Sequence, residues 1–245
     1  MAFVILFLAS LWAGMQNALA GGGAFITLPS LMLTGMDALA ANLTSTIALF
    51  PAQVATGWTG RSDVAGAAGL SFRALVSISL VGGALGAWLL LATPATFFAR
   101  LVPWLVLFAT VVFAWGSFAP RRHAAPGLNR YAAGGVQLAI AVYGGYFGGG
   151  IGFMMLAVLS AARLAIRKAA ATKNVLAAVI NASAVAIFVF APQVRWRAAA
   201  VASAGAVLGG IAGAHMLQRV NERALRVVVV LIGVALTIGL FLHAP

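Results

Sequence analysis

The residues that could do chemistry in this chain are mostly neutral and gather around two glycine runs, Gly21-Gly22-Gly23 and Gly148-Gly149-Gly150. Each glycine costs roughly 1 kcal/mol relative to Ala in a helix interior, so three in a row break a helix. A helix that restarts after Gly23 or Gly150 presents unpaired N–H groups and the positive end of its dipole. Bare glycine lets an anion come close to that backbone. Gln16 and Asn17 precede the first break by one turn, and Tyr143 and Tyr146 precede the second. Asn42, Ser45 and Thr46 open the next apolar run, where Asn42, Thr46 and Gln53 share a helical face. Asn174 and Asn181 share a face in a later run. Such amides can donate to an anion's oxygens without placing a full charge in a bilayer. The expected substrate site therefore comprises Gln16, Asn17, Gly21, Gly22, Gly23, Asn42, Ser45, Thr46, Tyr143, Tyr146, Gly148, Gly149, Gly150, Asn174 and Asn181.

Other chemistries find no residues. The chain has no Cys, which excludes disulfides and thiol catalysis. Its acids are Asp37, Asp63 and Glu222, none in the middle of an apolar run, so a carboxylate proton relay is not expected. Asp37 and Glu222 read as helix caps and Asp63 as a loop acid. There is no Ser-His-Asp arrangement, no His-Glu metal helix and no phosphate-binding loop. Neither an enzyme nor a cofactor or metal is expected. His215 reads as a packing residue and Lys173 as a loop charge on the inner side.

The elements that must position these residues are membrane helices. The 245 residues are 63% hydrophobic and only 7% charged, more apolar sequence than a soluble fold can cover. The net charge of +12 comes from basic residues in short breaks between apolar runs, a loop-anchoring pattern and not a nucleic-acid surface. The runs are Met1–Met36, Leu39–Trp58, Phe72–Leu91, Phe98–Ala119, Tyr131–Ala162, Ala169–Ala191, Ala198–Leu217 and Ala224–Leu242. The first run reads as retained membrane helix and not as a cleaved signal, since it lacks a basic start and continues past Ala20. The first and fifth runs far exceed the roughly 20 residues that cross a bilayer, and each holds a triple glycine. Pro51, Pro103 and Pro192 are expected to kink or end their spans.

One long run and three ordinary ones, then the same again, is the mark of an internal duplication. Gly82-Gly83 and Gly86-Ala87 match Gly209-Gly210 and Gly213-Ala214 at the same spacing that separates the two glycine runs, and they read as helix-packing faces. Asn42 and Asn174 read as counterparts, at a slightly wider spacing. If all eight runs cross once, Lys and Arg divide eight against seven, which is no bias. If the long runs are hairpins that enter, break and return, Arg100, Arg195 and Arg197 lie outside and the other twelve inside. Each half then makes three crossings, so the halves are inverted and two broken hairpins meet near the midplane. The expected fold is thus an all-α polytopic membrane protein of two inverted repeats, residues 1–125 and 126–245. Each repeat is a re-entrant hairpin plus three transmembrane helices. Eight simple spans in parallel repeats is the alternative.

Gly21-Gly22-Gly23-Ala-Phe-Ile-Thr-Leu-Pro29, Asp37-Ala-Leu-Ala-Ala-Asn42-Leu-Thr-Ser45-Thr46, the Gly-rich Gly144–Gly152, Lys173-Asn174 with Asn181, and Gln193-Val-Arg-Trp196 carry a resemblance. Over essentially its whole length the chain resembles the sulfite exporter TauE/SafE family of membrane anion transporters. The resemblance implies secondary transport of sulfite, organosulfonates such as sulfoacetate, or related small anions, outward across a bacterial inner membrane. An anion channel or an uptake carrier is the alternative, and a membrane-embedded assembly subunit a third reading. Where the first repeat has Thr27 and Pro29 the second has Met154 and Leu156, so the half-sites are chemically unequal. The expected partners are a small anion and the lipid bilayer, without nucleic acid and with room for a homo-oligomer.

Overall fold

The computed structural model describes residues 2–19, 22–118, 129–216 and 222–242. Gly21 and the repeat boundary at 125 and 126 lie outside the described residues, as do the side chains of His215 and Glu222. The described chain is helical: α1 Ala2–Leu19, α2 Ala24–Met32, α3 Ala38–Thr59, α4 Phe72–Ala92, α5 Ala95–Phe118, α6 Arg130–Tyr146, α7 Ile151–Ala161, α8 Ile166–Phe188, α9 Trp196–Met216 and α10 Glu222–Leu242. Among the described residues, four helices are long and apolar enough to cross a membrane by length and composition, within α3, α4, α5 and α8. Each over-long run is split at its glycines into a longer and a shorter helix, α1 with α2 and α6 with α7.

The chain doubles back at both breaks. Gly23 stands against the Ala13 carbonyl and the Asn17 side chain. The start of α1 (Ala2, Phe3) meets the end of the α2 turn (Thr34, Gly35, Met36) beside Arg195 and Arg197. In the second pair Gln137 Nε2 approaches Met155 Sδ, 3.8 Å, and Gly144 packs on Ile151. The open end of this pair lies at the other end of the molecule, where Arg130 neighbours Gly69 and Arg167 pairs with Asp63 at 2.8 Å. Helix α3 connects the two ends: Thr44, near its start, accepts from the Arg195 N–H, and Asp63 follows its last turn.

The packing recurs five helices on. Helix α9 lies along α1 as α4 lies along α6; α9 also packs on α3 as α4 does on α8. Contacts of α2 with α1, α3 and α10 match those of α7 with α6, α8 and α5, while α3 meets α8 and α5 meets α10. The closest crossings are made of small residues. A Cβ on Gly86 would overlap the Val142 carbonyl, and one on Gly213 would crowd the Met15 carbonyl. Gly213 follows Gly86, and Val142 follows Met15, at the spacing that separates the two glycine runs. Glycine is required there because no side chain fits between the helices.

Of the two outcomes expected at Pro51 and Pro103, a kink or an end, neither proline ends its helix: α3 and α5 run through them, as membrane helices do when neighbouring groups satisfy the freed carbonyl. One expectation is corrected. Asn42 is not the counterpart of Asn174. Thr44 accepts from the backbone N–H of Arg195, ahead of α9, at 3.2 Å. Thr172 accepts from that of Ala65, ahead of α4, at 3.0 Å. The helices also start at matching points, after Asp37 and Ala165. Aligning Thr44 with Thr172 and Asp37 with Ala165 sets the register: Thr46 matches Asn174, Ser45 matches Lys173, and Gln53 matches Asn181.

Candidate substrate site

Both breaks open onto one cavity of about 40 Å³. Its walls include Asn17, Gly22, Gly23 and Ala24 from the first break and Gly148, Gly150, Ile151 and Gly152 from the second. Leu49, Gln53 and Thr56 of α3 and Lys173, Asn174 and Ala177 of α8 complete it. The local backbone explains the placement. Gly22, Gly148 and Gly150 have φ of 82°, 79° and 81°, in the left-handed region that L side chains rarely occupy. These turns aim the first turns of α2 and α7 at the cavity, where N–H groups lack intrahelical acceptors.

Among the described residues, the side chains of Asn17, Lys173 and Asn174 have no hydrogen-bond partner, and all three line the cavity. Lys173 is also without an ion pair there. Asp63 is taken by Arg167, and Asp37 accepts from the Ala40 N–H as the cap of α3. The Lys173 Nζ stands 3.8 Å from where a Cβ on Gly152 would be. Opposite, Asn181 Nδ2 donates to Gln53 Oε1 at 2.6 Å and braces α8 on α3.

Of the expected site residues, Asn17, Gly22, Gly23, Gly148, Gly150 and Asn174 line the cavity. Gln16 is buried beside it and donates to the Gly22 carbonyl at 3.3 Å, holding the break in shape. Asn181 sits behind Gly148. Gly149 packs on the Phe147 ring. The remaining polar residues are engaged elsewhere. Asn42 Nδ2 donates to the Tyr146 carbonyl at 3.1 Å and Thr46 to the Asn42 carbonyl at 2.9 Å, while the Ser45 and Thr27 hydroxyls bond each other. Tyr143 donates to the Leu105 carbonyl at 3.4 Å and stands edge-on to Phe108. The Tyr146 hydroxyl meets Thr93 at 3.3 Å, and its ring meets Phe98.

The structure adds Lys173, Gln53, Thr56 and Gly152. Lys173 is the correction of consequence: it is not in a loop but two turns into α8, about 10 Å from the helix start. The signal was present, since the apolar run already begins at Ala169 and so encloses this lysine.

The arrangement can do one kind of chemistry well. An ammonium, two amides and two helix N-termini favour an anion.

Comparison with known proteins agrees. The family model described as Sulfite exporter TauE/SafE matches residues 6–240. A protein of Haemophilus influenzae named probable membrane transporter protein is 30% identical over 239 residues, 95% of this chain and 92% of that protein. The probable membrane transporter protein ORF9 of a Sinorhizobium species is 27% identical over 96% of this chain and 90% of its own length. The probable membrane transporter protein YfcA of Escherichia coli is 26% identical over 95% of this chain and 87% of its own. No solved structure gives a significant match. With a cavity between two broken helix pairs and a family match along almost its whole length, this chain belongs to the sulfite exporter TauE/SafE family and is a multi-pass membrane transporter.

Proposed function

We propose that the chain is a secondary transporter that exports sulfite or a related small sulfur-containing anion across the bacterial inner membrane by alternating access. The observation that carries this reading is the convergence of both glycine breaks on one cavity holding three unpartnered polar side chains, Asn17, Lys173 and Asn174. The anion sits between the first turns of α2 and α7, with its oxygens on the two amides and its charge against Lys173.

The two halves are inverted repeats, residues 1–125 and 126–245, and each helix pair is a re-entrant hairpin. Three observations support this. The packing recurs five helices on. The open ends of the two helix pairs lie at opposite ends of α3. Gln53 and Asn181, matched in the register set by the two threonines, bond each other; a residue touching its own counterpart lies on a two-fold axis, and here that axis borders the cavity. A site on the axis between inverted repeats is open to either side by the same motion run in opposite senses.

The test is sulfite flux through the purified chain in liposomes, with and without a bond locking α3 to α8. A Cβ on Gly57 would stand 3.4 Å from that of Ala178, close to disulfide geometry, and the chain has no cysteine of its own to interfere. Uptake by Gly57→Cys/Ala178→Cys should stop on oxidation and return on reduction. Flux indifferent to the cross-link contradicts alternating access through this interface. No sulfite flux in the reduced protein contradicts the substrate.

A further inference from the structure

We propose that this cavity selects compact monoanions through one charge, the Lys173 ammonium, over dianions and chain-bearing sulfonates alike. The inference deepens the transporter reading and rests on it.

Charge comes first. Lys173 is the charged side chain of the cavity wall. Its match in the first half is Ser45, which is hydrogen-bonded to Thr27, so the repeat supplies no second cation. Among the described residues no carboxylate offsets the lysine, since Asp63 belongs to Arg167 and Asp37 caps α3. The cavity wall is therefore cationic. A monoanion leaves it neutral. A dianion leaves one charge uncompensated in a narrow site walled by protein, a costly arrangement for an ion that gives up part of its hydration.

Size comes second. The cavity measures about 40 Å³. A single water needs roughly 10–15 Å³, so the space is on the scale of a few water-sized groups. That suits three oxygens around one central atom better than a headgroup with an alkyl chain. Leu49, Ile151 and Ala177 close the apolar side. Of the two forms of sulfite near neutral pH, hydrogensulfite fits both criteria, whereas sulfoacetate fits neither.

The experiment is competition against sulfite uptake by the full chain in liposomes, using three anions whose charge does not change near neutral pH. Chlorate is a pyramidal trioxo monoanion, sulfate a compact dianion and butanesulfonate a monoanion with a chain. Chlorate should inhibit at about tenfold lower concentration than either of the others. Lys173→Gln should lower uptake and lose the preference for chlorate in the uptake that remains, and Lys173→Arg, which keeps the charge, should retain part of both. Equal inhibition by sulfate or butanesulfonate overturns the proposal, as does Lys173→Gln keeping the wild-type order. If the wild-type protein moves no anion, the transporter reading fails first. Thermal stabilisation of the detergent-purified protein then decides the site: a shift with chlorate and none with sulfate upholds the selection, and equal shifts overturn it.

Discussion

Three side chains define the account at the residue scale. Asn17, Asn174 and Lys173 reach a cavity without partners, whereas Asn42, Ser45, Thr46 and Asn181 are tied to the fold. The distinction predicts different phenotypes for similar substitutions. Asn17→Ala and Asn174→Ala should each raise KM for sulfite about tenfold, the value of a hydrogen bond to a charged group, with little change in thermal stability. Asn42→Ala should do the reverse. Its amide links α3 to the end of α6, so losing it should cost about 1–3 kcal/mol of stability and leave KM nearly unchanged. Uptake kinetics and thermal unfolding in detergent check both. Asn17 was legible from the sequence because it stands one turn before a helix break. The role of Asn42 was not, because its partner Tyr146 lies in the other half of the chain, a pairing that spacing along one helix cannot reveal. Lys173 was misread because a cation near the edge of an apolar run is usually a loop anchor; only the position of Gly152 opposite shows what it faces.

At the scale of the element, apolar run lengths located the helices to within about three residues, from Phe72–Leu91 against the helix Phe72–Ala92 to Ala169–Ala191 against Ile166–Phe188. The triple glycines likewise marked where long runs divide. Register between helices was less accessible. The match of Asn42 with Asn174 followed residue type, while the structural register follows the two threonines that anchor the loops ahead of α9 and α4. The small-residue faces were read correctly as packing surfaces, and their cost can be measured. Gly86→Leu should sharply lower the unfolding temperature or prevent recovery of folded protein, since its side chain would enter the α6 backbone at Val142. Gly135→Leu, with open space around it, should be nearly neutral. Equal effects at the two positions would contradict the close crossing of α4 and α6.

The whole molecule is organised by its two ends. One gathers the start of α1, the turn after α2, and Arg195 with Arg197; the other gathers Asp63, Arg130 and Arg167. If the helix pairs are re-entrant, single cysteines placed in this cysteine-free chain divide accordingly. Thr34→Cys and Gln193→Cys should react with an impermeant thiol reagent in intact cells, and Ser62→Cys and Ser160→Cys only after permeabilisation. Labelling of Ser160→Cys from the side of Thr34→Cys, with Gln193→Cys on the side of Ser62→Cys, would restore the eight-span arrangement. Charge counting is what points to this topology, because loop lysines and arginines obey a simple rule. The site itself depends on the two breaks coming together, and no local pattern encodes that convergence. The most direct measurement is therefore calorimetric titration of the purified protein with sulfite. One anion bound per chain, weakened by Asn17→Ala at the first break and by Asn174→Ala facing the second, is the predicted result. Two anions per chain, or binding that survives either substitution unchanged, would contradict a single site shared by both breaks.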